Sequence, residues 1–216
     1  MNEFIMKRKD NYWWERTLVL FGKPLIMFLV NTPITPNMVT IANLVLILPL
    51  VCIAAWKQHF LLLALLIQVY MFLDIVDGNL ARNKNMKSEL GRRLDIISDT
   101  FFYIVGYLFI GIGMEEPLWL VGLFILTQQI YGLVATYYIV PGIRKLKNFE
   151  HTSLKKFFID KDILFGMDAS METLITSVLL IFPIRKLIFV ICPLLWSIDL
   201  VYRLYELKWL NRKNII

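Results

Sequence analysis

The chain reads LDIVDGNLARNKNMKSELGRRLDIISD over residues 73–99, and four aspartates mark the places where long apolar segments end and begin. Asp74 and Asp77 close one apolar segment, while Asp95 and Asp99 open the next. Helical residues three or four positions apart share a face, so each pair points in one direction. Two helices that leave one short loop run antiparallel, and the sequence therefore predicts that the four carboxylates converge at the loop end of a hairpin.

The apolar segments around this hairpin indicate a membrane protein. Of the 216 residues, 58% are hydrophobic and 19% are charged, with a mean hydropathy of +0.62. A soluble domain is about 45–50% apolar and about 25% charged. A membrane-spanning helix needs about 20 mostly apolar residues. We therefore predict an all-α integral membrane protein with six transmembrane helices, at residues 37–56, 60–81, 93–113, 117–140, 168–184 and 186–207.

The N-terminal segment 12–30 is apolar but interrupted by Glu15, Arg16 and Lys23. We interpret it as an amphipathic helix in the membrane interface, with its tryptophans at headgroup depth. A seventh span is the competing interpretation. The predicted organisation has a cytoplasmic or interfacial segment, a six-helix transmembrane domain and a cytoplasmic tail, at residues 1–32, 33–210 and 211–216.

The distribution of basic residues predicts the orientation. With six spans, only Lys57, Arg185 and Lys186 of the 23 Lys and Arg residues lie on the side opposite the termini. Positive residues favour the cytoplasmic side, so both termini and the aspartates are predicted to face the cytoplasm. The net charge is +6, and the basic residues cluster beside the apolar spans. This position indicates contact with anionic membrane lipids, not with nucleic acid.

Four converged carboxylates need compensation, because like charges repel strongly in a medium of low dielectric constant. Hard oxygen ligands suit magnesium, manganese or calcium. Two such ions can share carboxylates and activate phosphoryl chemistry. The alternative is that the aspartates merely form ion pairs with Arg82, Arg92 or Arg93.

The residues between the aspartates suit a phosphate-bearing ligand. Gly78 and Ala81 leave space beside the backbone, and Arg82 follows Gly78 by one helical turn. A guanidinium group matches phosphate geometry. Two small residues at this spacing are also typical of helix packing, so both interpretations stay open.

The pattern DxxDGxxAR, eight residues, then GxxxDxxxD, over residues 74–99, resembles the motif of the CDP-alcohol phosphatidyltransferases at every defining position. A second fragment, ITPNMVTIANL, resembles the nucleotide-binding Pro-Asn-x-x-Thr segment of that family, with matches at Pro36, Asn37 and Thr40. The resemblance implies transfer of a phospho-group from a CDP-linked donor to an alcohol, with release of CMP.

The resemblance also implies roles for individual residues. Two divalent ions, Mg²⁺ or Mn²⁺, would be held by Asp74, Asp77 and Asp95 and by Asp74, Asp95 and Asp99. Asp99 would also act as the catalytic general base on the acceptor hydroxyl, and Arg82 would contact the donor diphosphate. The CDP-donor-binding set is Asn37, Thr40, Gly78, Ala81, Arg82, Ser88 and Gly91.

The donor and the acceptor remain open at this stage. We expect a CDP-linked lipid, CDP-diacylglycerol, and a small alcohol, while a choline or ethanolamine type of CDP-alcohol transferred onto a lipid is the alternative. Asp168 and Glu172 favour an amine-bearing acceptor, or else belong to a structural ion pair. The residues that favour a phosphate-bearing acceptor are Arg144, Lys145, Lys147 and Arg203.

Three further expectations concern the whole chain. Two non-enzyme interpretations are the alternatives to a transferase. One is a cation-coupled transporter that uses the aspartates as its ion site, and the other is a scaffold that has lost activity. A homodimer follows only from the general frequency of two-fold assemblies. Cys52 and Cys192 are predicted to be small buried residues without a disulfide bond.

Overall fold

The computed structural model of the chain describes residues 4–5, 13–145, 157 and 166–213, with side chains as far as residue 210. These residues are largely helical and contain no strand, which confirms the predicted all-α class. The basic segment around Lys147 lies outside the described residues. The helices are α1 Trp13–Val30, α2 Pro36–Trp56, α3 Phe60–Asn83, α4 Glu89–Gly113, α5 Leu118–Arg144, α6 Ala169–Ile181 and α7 Ile188–Lys213.

Five helical segments are long and apolar enough to cross a membrane: α2, α3, α4, α5 and Arg185–Leu210, which includes most of α7. They contain 21 to 27 residues. At about 1.5 Å per residue, each exceeds the roughly 30 Å of a bilayer core. The described chain is therefore a multi-pass membrane protein, as predicted.

The predicted sixth span, 168–184, corresponds to α6, which has only 13 residues. Its length of about 20 Å falls short of a full crossing. Asp168 sets the start of α6, because its side chain accepts a hydrogen bond from the Met171 N–H at 2.8 Å. Phe182 is extended before Pro183 and ends the helix. Five of the six predicted spans are thus confirmed, and a sixth crossing stays a prediction.

The predicted N-terminal helix forms as α1, but its place in the membrane interface stays a prediction. The indole N–H of Trp14 donates to Gln68 of α3 at 3.0 Å. Two apolar clusters join the helices further along. The first contains Leu18 of α1 and Met71 of α3, and the second contains Ile26 of α1 and Val76 of α3. Because these contacts advance in step, α1 runs alongside α3 in the same direction for several turns.

An aromatic core joins α4, α5 and α7. The Tyr107 and Phe124 rings are 4.3 Å apart between centroids, and those of Phe124 and Trp196 are 5.1 Å apart. Cys52 and Cys192 are buried and form no disulfide bond, as predicted. Large apolar side chains also cover the outer surface of the helices, as lipid contact requires; they include Leu61, Trp119 and Val201.

The α3–α4 loop is shorter than hydropathy predicted. The helix α3 continues to Asn83, and α4 begins at Glu89, where Ser88 accepts a hydrogen bond from the Gly91 N–H at 3.0 Å. The predicted boundaries at 81 and 93 followed the fall in hydropathy at charged residues, whereas a capped helix tolerates charge in its first turn. Asp95 and Asp99 therefore lie on regular helix, well inside α4.

Candidate active site

Three carboxylates meet where the facing ends of α3 and α4 come together. One oxygen from each of Asp74, Asp77 and Asp95 lies within 4.8 Å of the other two. Asp77 is only 4% exposed, and the Thr40 hydroxyl of α2 donates to it at 2.6 Å. The helical spacing brings the first two side chains to one face, and the short loop places the start of α4 opposite that face. The arrangement is an oxygen-only donor set of the kind that divalent cations prefer.

The fourth predicted ligand, Asp99, lies outside this compact set. It follows Asp95 by one helical turn on α4, and its charge interacts with those of Asp74, Asp77 and Asp95. The structure therefore brings three of the predicted carboxylates together and leaves the fourth one turn deeper along the same helix.

Two of the three arginines in the ion-pair alternative have a different partner. The guanidinium groups of Arg92 and Arg93 contact exposed Glu89 at 2.6 and 3.1 Å. Arg82 instead has a buried Nε atom for which the described residues supply no hydrogen-bond partner. An orphaned buried guanidinium nitrogen beside an acidic cluster indicates a site prepared for a ligand with acceptor oxygens.

A cavity of about 500 Å³ opens beside the carboxylates, between α2, α3 and α4. Its volume lies within the range of about 300–1,000 Å³ that small-molecule sites occupy. Asp77 and Asp95 form part of its wall. All seven predicted donor-binding residues line it as well: Asn37, Thr40, Gly78, Ala81, Arg82, Ser88 and Gly91.

Two glycines in this wall serve different purposes. A Cβ atom at Gly78 would meet only the Arg82 guanidinium at 3.8 Å, so the space beside Gly78 belongs to the cavity. A Cβ atom at Gly91 would lie 2.9 Å from Oδ1 of Asn37 and 3.2 Å from Oγ of Ser88. The space beside Gly91 is therefore already occupied by the Asn37 side chain of α2.

Sequence reasoning missed a polar link one turn deeper than Asp74 and Asp95, at the level of Asp99. The hydroxyls of Tyr70 and Ser98 share a buried hydrogen bond of 2.6 Å between α3 and α4. The Tyr70 ring also stacks on Phe102 at 4.1 Å between centroids. Tyr70 precedes Asp74 by four residues and Ser98 directly precedes Asp99, so this link joins the two helices beneath Asp74 and beside Asp99. The only signal for it in the sequence is a hydroxyl group within each apolar span.

Sequence reasoning also missed Glu15, which it treated only as an interruption of the N-terminal segment. In the structure its charge interacts with Arg82 and with Asp74. The helix α1 thus contributes a charge to the surroundings of the site.

The structure separates the residues considered for acceptor binding. Arg203 contacts Asp199 at 2.6 Å, and Asp199 also accepts a hydrogen bond from the Tyr131 hydroxyl at 2.6 Å. Asp168 caps α6, and Glu172 is completely buried. None of these five residues lines the cavity described above.

The remaining basic candidates, Arg144 and Lys145, are exposed at the end of α5. Lys147 lies outside the described residues. The acceptor preference therefore stays open.

The model of the family described as CDP-alcohol phosphatidyltransferase matches residues 33–196. The match extends from the start of α2 into α7 and includes the cavity wall and all four aspartates. A search of curated proteins found no match. Members of the family are phosphotransferases that transfer a phospho-alcohol group from a CDP-linked substrate. Because the match covers more than half of its length, the chain belongs to the CDP-alcohol phosphatidyltransferase family.

Proposed function

We propose that the protein transfers a phosphatidyl group from CDP-diacylglycerol to a small alcohol and releases CMP, in a reaction that depends on divalent metal ions. Family membership supplies the coarser reaction, phosphotransfer from a CDP-linked donor in phospholipid biosynthesis. The donor lipid and the metal dependence are the steps beyond it.

The observation that carries the proposal is the cluster of three carboxylates beside the cavity. Oxygens of Asp74, Asp77 and Asp95 lie within 4.8 Å of one another, and Arg82 lies on the wall of the same cavity. An acidic cluster next to an arginine suits a ligand that combines a diphosphate with bound cations. A CDP headgroup is such a ligand, and its diacylglycerol chains would remain in the bilayer.

The residues present fit a divalent cation, because the donors are hard carboxylate oxygens. Asp74, Asp77 and Asp95 would hold one Mg²⁺ or Mn²⁺ ion, and Asp74, Asp95 and Asp99 a second. Such ions, when bound, neutralise diphosphate charge and stabilise the leaving CMP. Thr40 orients the Asp77 carboxylate through its hydrogen bond.

The side chains around the donor have separate roles in this proposal. Arg82 binds the diphosphate through its planar set of N–H donors. Gly78 and Ala81 keep the wall flat, so that the nucleotide approaches the α3 backbone. Asp99 accepts the proton of the acceptor hydroxyl while the new oxygen–phosphorus bond forms and the bond to CMP breaks. The remaining donor contacts are Asn37, Thr40, Ser88 and Gly91.

The cavity faces the cytoplasm in this proposal. Support comes from the basic residues, nearly all of which lie on the side of the α3–α4 loop when six crossings are assumed. The acceptor would then enter from the cytoplasm while the donor lipid enters from the inner leaflet. A homodimer is consistent with general frequencies.

The test uses purified protein in lipid nanodiscs. CDP-diacylglycerol is supplied with glycerol 3-phosphate, inositol phosphate or serine, and CMP release is measured with Mg²⁺, with Mn²⁺ and with EDTA. We expect CMP release with one of these alcohols, and we expect EDTA to abolish it. Absence of CMP release with every alcohol in the presence of metal contradicts the proposal.

Two further arms of the same experiment test the alternatives. CMP release from CDP-choline or CDP-ethanolamine, with diacylglycerol as acceptor, would indicate the reverse assignment of lipid and alcohol. Cation-dependent uptake into vesicles without CMP release would indicate a transporter.

A further inference from the structure

Glu172 of α6 is a buried carboxylate that the proposed reaction does not use. Its exposed fraction is 0%. It accepts hydrogen bonds from the hydroxyls of Tyr103 at 3.1 Å, Thr176 at 2.8 Å and Tyr107. A carboxylate within a membrane bundle is costly and is retained where it has a task, so this fully satisfied group calls for a reason.

The bonds of Glu172 connect it to the helix that carries the catalytic aspartates. Tyr103 and Tyr107 both belong to α4, and Tyr103 follows Asp99 by one helical turn. Residues four positions apart share a helical face. Holding Tyr103 therefore fixes the rotation of α4 about its axis, and this rotation determines where Asp95 and Asp99 point.

The other end of the connection is also anchored. The Gln68 side chain of α3 donates to the Thr173 carbonyl at 2.8 Å and to the Ser177 hydroxyl at 2.9 Å, both on α6. Because α3 carries Asp74 and Asp77, α6 bridges the two helices that supply the carboxylates. Glu172 is the carboxyl link in this bridge.

The backbone of α4 gives a reason for an external hold at this position. One wide π-helical turn, Phe102–Gly106, lies just beyond Asp99 and includes Tyr103. Such turns interrupt the regular hydrogen-bond pattern of a helix and often occur at functional sites. The backbone of α4 by itself therefore holds the aspartate-bearing half less firmly.

We propose that Glu172 is a positioning residue, which holds Tyr103 and thereby sets Asp95 and Asp99 in the geometry that binds the metal ions. This inference rests on the proposed function for its metal site. It assigns to α6, which is too short to cross the membrane alone, the task of aligning α4 with α3.

The experiment compares Tyr103→Phe and Glu172→Gln with a matched control, Thr176→Val. Thr176 bonds the same carboxylate from within α6 and shares a hydrogen bond of 3.1 Å with the Tyr107 hydroxyl, so its loss leaves the bond between Glu172 and Tyr103 in place. Mn²⁺ affinity is measured by electron paramagnetic resonance on full-length protein in nanodiscs. Thermal unfolding, the turnover number and the KM for the donor are measured in parallel.

We expect Tyr103→Phe and Glu172→Gln to weaken Mn²⁺ binding about tenfold. This is the lower end of the effect of losing a direct hydrogen-bond partner of a metal ligand, because Tyr103 acts on Asp95 and Asp99 through the helix. The turnover number should fall by a similar factor, while the KM for the donor changes less than about twofold, because five of the seven donor-binding residues belong to α2 and α3 and not to α4. Thr176→Val should bind Mn²⁺ within about twofold of wild type.

Unchanged Mn²⁺ affinity in Tyr103→Phe overturns the inference, as does an equal loss in Thr176→Val, which would indicate general destabilisation. If Glu172→Gln does not fold, the Mn²⁺ affinity of Tyr103→Phe still tests the inference. Wild-type protein that binds no Mn²⁺ also overturns it. Mn²⁺ binding needs neither donor nor acceptor, so wild-type protein that binds Mn²⁺ without releasing CMP contradicts the proposed function alone.

Discussion

The carboxylate end of the α3–α4 hairpin and the layer one or two turns deeper are both rich in polar groups, but they differ in how those groups are paired. In the deeper layer, Glu172 accepts three hydrogen bonds, and Tyr70 bonds to Ser98. At the carboxylate end, like charges meet beside a cavity of about 500 Å³, and no residue in the described part of the chain supplies an acceptor for Nε of Arg82. Within a membrane protein, polarity alone therefore does not identify the site. Incomplete pairing next to open space does.

The largest effect that this comparison predicts is at Asp99. We expect Asp99→Asn to lower turnover about 10³-fold, because loss of a general base typically costs 10²–10⁴-fold. Donor binding should remain measurable by equilibrium titration with a CDP-lipid, since Asp99 lies outside the donor wall. Glu116→Gln is the control, because Glu116 contacts Lys186 at 3.3 Å at the opposite end of the bundle. Near-normal turnover of Asp99→Asn would remove it from the base role.

The next largest effect is expected at Arg82, whose Nε atom is the incompletely bonded group at the carboxylate end. We expect Arg82→Ala to weaken donor binding about tenfold to a hundredfold, because hydrogen bonds to charged groups contribute about 1.5–3 kcal/mol. Arg82→Lys should recover part of that loss, since it keeps the charge but not the planar donor geometry. The control is Arg93→Ala, which removes an exposed guanidinium paired with Glu89. Donor affinity that is equal in both alanine variants would contradict the contact.

The carboxylate motif and the all-helical class were predictable from sequence, because helical periodicity alone brings Asp74 and Asp77, three residues apart, to one face. Hydropathy misplaced the end of α3 and the start of α4, since it responds to charge and not to the Ser88 cap. The roles of Glu172 and Gly91 depend on neighbours distant in sequence. Tyr103 lies 69 residues from Glu172, and no local sequence pattern predicts such a contact.

Gly78 offers a smaller and cleaner test of the open space. A methyl group there meets only the Arg82 guanidinium at 3.8 Å, so Gly78→Ala should fold normally and intrude on the donor. We expect donor affinity to fall about fivefold, which corresponds to the lower end of the 1–3 kcal/mol that overpacking costs. Gly132→Ala is the matched control, since nothing lies within 4 Å of its added Cβ. Equal donor affinity in the two variants would show that the donor does not approach the backbone at Gly78.

The smallest effect is expected in the paired layer, at the bond between Tyr70 and Ser98. Tyr70→Phe keeps the ring that stacks on Phe102 and removes only the hydroxyl, and Ser98→Ala removes the other partner. A double-mutant cycle on the free energy of unfolding should give a coupling of about 0.6 kcal/mol, the average for hydrogen bonds between membrane helices.

Turnover should change less than about threefold in either variant, because this bond is neutral and the covalent hairpin still holds α3 beside α4. The Glu172 group differs in that one carboxyl group takes part in three hydrogen bonds, two of which join α6 to α4. If Tyr70→Phe instead lost more than tenfold in turnover with unchanged stability, Tyr70 would belong to the reacting site. The boundary between the structural hydrogen bonds and the reacting site would then lie one helical turn deeper.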